Sequence, residues 1–203
     1  MARESNYEVT RRQAKELYLS FDEGEIAERL GLRRDDEGLL LSFFGRPYRA
    51  ERRDGTLRRL WDGAEGGFGE TLTVYDYLCE SRPGCRPAGE YVTVGNLQAV
   101  VTATIGGSMY APATRWFAED LDRARWVCAA FGGRETGQGD FGWEFPVFAG
   151  GLNLRLSFWE ADEDFPASLR LFWDKNVLDY IRFETTYYAS GFLLDELMGK
   201  HDI

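Results

Sequence analysis

The sequence predicts an α+β domain: an antiparallel sheet with helices packed on one face. Three observations carry that expectation. Apolar residues recur at helical spacing in the N-terminal part of the chain and again near its end, but at period two between Trp143 and Trp173. Helical and strand patterns segregate instead of alternating strictly, which disfavours a doubly wound parallel sheet. No repeat, low-complexity tract or long linker divides the 203 residues, so residues 1–203 read as a single domain.

Residues 6–31 read as two short helices. Ala14, Leu17, Tyr18 and Phe21 share one face, Ser20-Phe21-Asp22-Glu23 has the form of a capping box, and Ile26, Ala27 and Leu30 make the next apolar stripe before Gly31. Residues 39–44 and 47–53 read as paired strands around Gly45-Arg46. Trp61 and a Gly-rich loop from Gly63 to Gly69 follow. Leu72, Tyr75, Leu78 and Cys79 then mark a helix that ends in the Pro/Gly-rich break Ser81–Gly89.

Tyr91-Val92-Thr93-Val94 is a short β-branched strand. From Pro112 the spacing of Phe117, Leu121, Ala124, Cys128 and Phe131 predicts one longer helix, stopped by Gly132-Gly133. A second Gly-rich loop, 132–142, leads into three alternating runs: Trp143 to Val147, Leu152 to Phe158 and Leu169 to Trp173. These predict an antiparallel meander with one buried face. A last helix, roughly 184–198, carries Tyr187, Gly191, Leu194 and Met198 on one stripe.

Composition narrows the function classes. With 44% hydrophobic and 15% aromatic residues, a large core forms without staples, and disorder is excluded. No apolar run is long enough to span a bilayer, and Met1–Glu8 has no apolar segment behind its charges, so a cytoplasmic protein without membrane contact is expected. Cys79, Cys85 and Cys128 are too few for a disulfide framework. They form no C-x-x-C, so the chain has no zinc or iron–sulfur motif. The single histidine, His201, leaves no internal Ser-His or Cys-His pair. A net charge of −10 repels phosphate backbones and anionic membranes, so nucleic acid is not an expected partner.

The C-terminal half carries a resemblance. Trp159-Glu160-Ala161-Asp162-Glu163-Asp164-Phe165-Pro166-Ala167, then Leu171-Phe172-Trp173-Asp174, then Tyr180, resembles the signature of the domain of unknown function 3786 family. The helix pair, the Phe43–Tyr48 hairpin, the Tyr77-Leu78 helix and the terminal helix follow in the order that the resemblance implies. Trp173 stands where the family commonly shows Phe. The family is similar to proteins of anaerobic bacteria and archaea, some with an added iron–sulfur segment. The cysteines of that segment have no match here.

Several groups of residues are candidates for chemistry. The acidic string Glu160, Asp162, Glu163 and Asp164, with Asp174, could hold a hard cation or divide into acid and base; otherwise it is a solvated hairpin tip. Trp159, Glu160, Asp162, Glu163, Phe165 and Asp174 are the candidate ligand contacts, and no metal ligand is assigned. Asp174 also reads as an Asx-turn residue at a strand end. Arg46, Arg49 and Arg52, within a run that continues to Arg53, Arg58 and Arg59, could bind an anion or pair with the acidic C-terminal half. Gly106-Gly107-Ser108 before the Pro112 helix could meet a phosphate, and the 132–142 loop could act as a lid. The meander aromatics Trp143, Trp159 and Trp173 either fill the core or wall a pocket. With no identifiable catalytic set, the chain reads as a noncatalytic accessory or small-ligand-binding domain with its pocket near the meander. The alternatives are a carboxylate-based, metal-assisted hydrolase and a protein-interaction module.

Overall fold

The computed structural model describes residues 5–97 and 110–200. The Gly106-Gly107-Ser108 segment and His201 lie outside the described residues.

Helix α1 (Asn6–Leu19) starts at Ser5, whose side chain accepts from the Glu8 N–H while the Glu8 carboxylate reaches back. Helix α2 (Glu23–Leu30) is capped by Asp22, not by Ser20; Ser20 closes α1, so the box expected at Ser20–Glu23 is not formed. Asp22 accepts from the Glu25 N–H, and Gly31 ends α2 in the left-handed region at φ 64°. Strands β1 (Arg33–Arg34), β2 (Gly38–Phe43), β3 (Arg46–Glu51) and β4 (Leu57–Arg59) follow, then α3 (Phe68–Glu80) and β5 (Tyr91–Thr93).

The long helix expected from Pro112 is two helices, α4 (Ala111–Glu119) and α5 (Leu121–Ala130). Asp120 between them is extended at φ −161°, and its carboxylate accepts from the Arg123 N–H, so one residue ends the first helix and caps the second. The apolar spacing survives the break, which is why periodicity alone reads through it. Strand β6 (Arg134–Thr136) occupies part of the expected 132–142 loop. Strands β7 (Phe141–Phe148), β8 (Leu152–Trp159) and β9 (Ser168–Asp174) form the meander, and α6 (Phe183–Leu197) closes the order.

The strands form one antiparallel sheet in the order β4-β3-β2-β7-β8-β9-β5, with β1 against β2 and β6 against β7. Alternation puts Leu39, Leu41, Phe43, Tyr48, Ala50, Leu57, Phe145, Leu154, Leu156, Phe158, Leu171 and Trp173 on the buried face. Helices pack on that face, and α3 lies between α1 and α6. The meander tryptophans divide: Trp143 and Trp173 are buried in the core, whereas Trp159 lies on the opposite face with the Arg170 guanidinium 5.5 Å from its ring centre. Cys128 is fully buried and burial pushes its thiol far above the ordinary range, as expected of a cysteine that serves as a small hydrophobe. Among the described residues no helix is long and apolar enough to cross a membrane.

A candidate cleft between the first hairpin and the last helix

The β2–β3 hairpin turns on Phe44 and Gly45, both left-handed at φ 47° and 76°. A two-residue turn of the primed type demands this of both positions, and Gly45 meets it freely. Phe44 meets it under strain. Its ring is buried among Phe43, Phe131 and Phe192, with centroids 4.8, 6.3 and 5.7 Å away, and its N–H donates to Val147 O at 3.0 Å. Packing therefore holds a backbone conformation that the residue type disfavours, at a cost of roughly 1–3 kcal/mol. The turn delivers Arg46 at the start of β3.

Arg46 Nη1 lies 2.6 Å from a Glu196 carboxylate oxygen on α6. Its guanidinium carbon sits 4.7 Å from the Phe131 ring centre and 5.3 Å from that of Trp61. On the neighbouring strand, Arg59 pairs in register with Tyr48. Arg59 Nε and Nη2 donate side-on to the two Glu70 carboxylate oxygens at 2.9 and 2.5 Å. The Tyr48 hydroxyl and the Gly67 N–H also donate to Glu70, each at 2.5 Å.

Glu70 is 2% exposed and stands in the first turn of α3, so four donors and the helix dipole share its charge. Burial, then the neighbouring Glu70 charge, holds the Tyr48 hydroxyl neutral far above its ordinary pKa. The bonds to Glu70 outweigh burial and raise the Arg59 pKa further, so Arg59 is always charged.

These residues wall two adjoining clefts. One, of about 530 Å³, is lined by Gly45, Arg46, Pro47, Arg59, Trp61, Asp62 and Glu196. The other, of about 220 Å³, runs along the α3 N-terminus past Phe68, Gly69, Tyr188, Asp195 and Lys200, and shares Arg59 and Glu196 with the first. Trp61 is 42% exposed although both guanidinium groups lie within 6 Å of its ring centre.

The acidic string does not join this cleft. Glu160, Asp162, Glu163 and Asp164 are exposed on the β8–β9 turn, and Phe165 is 71% exposed at its tip. Asp162 accepts from the N–H groups of Asp164 and Phe165 at 2.9 and 2.7 Å, which folds the tip. Asp174 lies at the other end of β9, roughly 20 Å away along the strand. It is 0% exposed and accepts from the N–H groups of Ala88, Gly89 and Asn176 at 2.9, 2.8 and 2.9 Å. It is an Asx-turn residue that also ties the Pro/Gly-rich 81–89 segment to the sheet. Among the described residues, no group of three metal-ligating side chains converges.

The arginine run is spent on carboxylates, mostly not those expected. Arg49 pairs with Asp35 and Glu37, Arg52 with Glu23, and Arg58 with Glu51, all in the N-terminal half. Among the described residues, Arg46 alone of these reaches the C-terminal half, at Glu196. Of the candidate residues, the cleft therefore gathers Arg46. Sequence reasoning missed Tyr48, Asp62, Glu70 and Glu196 and left Arg59 undistinguished within the run. Only Gly67-Phe68-Gly69-Glu70, with a carboxylate three residues after a cap position, signals part of the cleft in the sequence.

The fold and the cleft together define an α+β protein built on one open antiparallel sheet with a polar, tryptophan-edged cleft at one end. The chain belongs to the family described as domain of unknown function DUF3786, whose model matches residues 22–196. The match includes the acidic-aromatic string and every cleft residue except Lys200. No curated protein and no solved structure matches the chain.

Proposed function

We propose that the protein is a cytoplasmic, noncatalytic small-ligand-binding domain whose ligand occupies the two-lobed cleft between β3–β4, α3 and α6. One observation carries the reading. A strained turn and two buried carboxylates converge to fix two guanidinium groups beside a half-exposed tryptophan in the larger cleft, where Arg59 and Glu196 join it to the smaller one. Each buried ion pair is costly to desolvate, and a hydrophobic contact would join hairpin to helix at less expense. Donors and an aromatic face held rigidly before the ligand arrives reduce the ordering cost of binding.

The noncatalytic part rests on how the charges are used. Glu70 is saturated by four donors, and Tyr48 is held neutral. Tyr48 is therefore not poised to exchange a proton near neutral pH. Metal ions, nucleotides, amino acids and tetrapyrroles, tested as a panel by thermal shift and tryptophan fluorescence, provide the experiment. A ligand present at a hundred times its Kd stabilises by about 2.7 kcal/mol, which raises Tm by roughly 5–10 °C in a chain of this size. The fluorescence response should vanish in Trp61→Phe. A panel hit whose response persists in that variant would move the site elsewhere, and turnover of any panel compound would overturn the noncatalytic reading.

A further inference from the structure

We infer that the ligand of this cleft is a zwitterion of the α-amino acid type, its carboxylate on the free end of Arg59 and its ammonium against Asp62, with an apolar or aromatic side chain beside Trp61. The inference rests on the cleft being the binding site and adds the chemical class of what fills it.

A guanidinium has five N–H donors. Arg59 commits Nε and one N–H of Nη2 to Glu70, side-on. The end of the fork, between Nη1 and Nη2, keeps three N–H groups without an acceptor among the described residues. That end has the geometry that receives two coplanar oxygens. Asp62 Oδ2 stands 3.9 Å from Nη1, too far for a hydrogen bond. The Asp62 side chain is 41% exposed, and its other oxygen accepts from the Ala64 N–H at 2.9 Å. A cationic donor edge and an anionic acceptor thus lie side by side on the wall of one cleft.

The charge census of the two lobes selects between ligand classes. Arg46, Arg59 and Lys200 face Glu70, Glu196, Asp62 and Asp195. The cations and carboxylates nearly cancel, so the cleft as a whole draws in neither a simple anion nor a simple cation. A molecule with carboxylate and ammonium on one carbon satisfies Arg59 and Asp62 at once and leaves the balance unchanged. Its third substituent then lies against the exposed indole of Trp61, where apolar surface is covered on binding.

The test titrates the full chain with L-phenylalanine, 3-phenylpropionate and phenethylamine by calorimetry, after a thermal-shift series with all twenty L-amino acids. Phenylalanine should bind at least tenfold more tightly than either analogue. Asp62→Asn, an exposed change that should leave the fold intact, should remove the advantage of phenylalanine over phenylpropionate while sparing phenylpropionate itself. Equal binding of phenylalanine and phenylpropionate, or no effect of Asp62→Asn on their ratio, would overturn the inference. So would twenty inactive amino acids beside another compound whose fluorescence response depends on Trp61, and in that case the cleft assignment stands alone. A hit that ignores Trp61→Phe would defeat both.

Discussion

Phe43 on β2 faces Phe148 on β7 across the one registered pair that joins these two strands. On either side of that pair the strand edges are taken by β1 and β6, so the two parts of the sheet meet at a single point. Aromatic packing reinforces it. The two rings lie 5.4 Å apart, Tyr77 from α3 stacks on Phe148 at 3.8 Å, and Phe192 from α6 lies 5.0 Å from Phe43.

Phe148→Ala should therefore destabilise the protein by about 3–5 kcal/mol, the range for a large buried ring replaced by a methyl group. Urea unfolding checks it. A loss below about 1 kcal/mol, within the range of a surface change, would mean that the seam is held by the backbone alone.

Glu70→Gln should cost about 3–5 kcal/mol, because it leaves the partly buried Arg59 without its counter-ion and turns one of the two oxygens, one accepting from Tyr48 and the other from the Gly67 N–H, into an amide that cannot accept. The companion change Arg49→Gln breaks only exposed or half-exposed pairs and should cost no more than about 1 kcal/mol. Comparing the two by chemical denaturation separates a buried network from surface ion pairs that look equivalent in the sequence.

Stability should fall with acid partly through Glu144. Burial pushes its carboxyl up, but the bonds from Arg155, Arg134 and Tyr91 outweigh it and hold the pKa below the ordinary value. A pKa depressed on folding contributes stability that is complete above the unfolded value and is lost as pH falls through the folded one. Glu144→Gln should then lower stability by about 1–3 kcal/mol at neutral pH, with the gap to the wild type closing below the ordinary carboxylate range. Urea midpoints at pH 7 and pH 3 test this, and a gap that stays constant would contradict it.

Asp174→Asn should destabilise by about 1–3 kcal/mol, since one of its oxygens becomes an amide that cannot accept from the 88–89 backbone. Asp162→Asn on the exposed tip should change stability by about 0.5 kcal/mol or less. Thermal melts of both variants check the contrast between two carboxylates that the sequence placed in one candidate site.

Much of the fold was legible because it follows from local rules. Alternation at Leu152, Leu154, Leu156 and Phe158 can bury only one face, and a stop residue such as Gly31 acts within its own turn. Legibility failed where a local signal was ambiguous. The apolar stripe from Phe117 to Cys128 reads through Asp120, because spacing does not register one extended residue between two helices. The short strands β1, β4 and β6 escaped because two or three residues set no period, and their pairing depends on a partner distant in sequence.

The sequence by itself determined the fold class, most helices and the longer strands of the core, the buried cysteine at 128 and the family signature, since periodicity, stop residues and composition act over a few residues. Only the tertiary structure decided the cleft. Arg46, Arg59 and Trp61 come from the hairpin region, Glu70 from α3 and Glu196 from the far end of the chain, and nothing in the spacing of those residues couples them. Charge pairing across such separations is set by which strand edges meet, as at Phe43 and Phe148, and by which helix covers them.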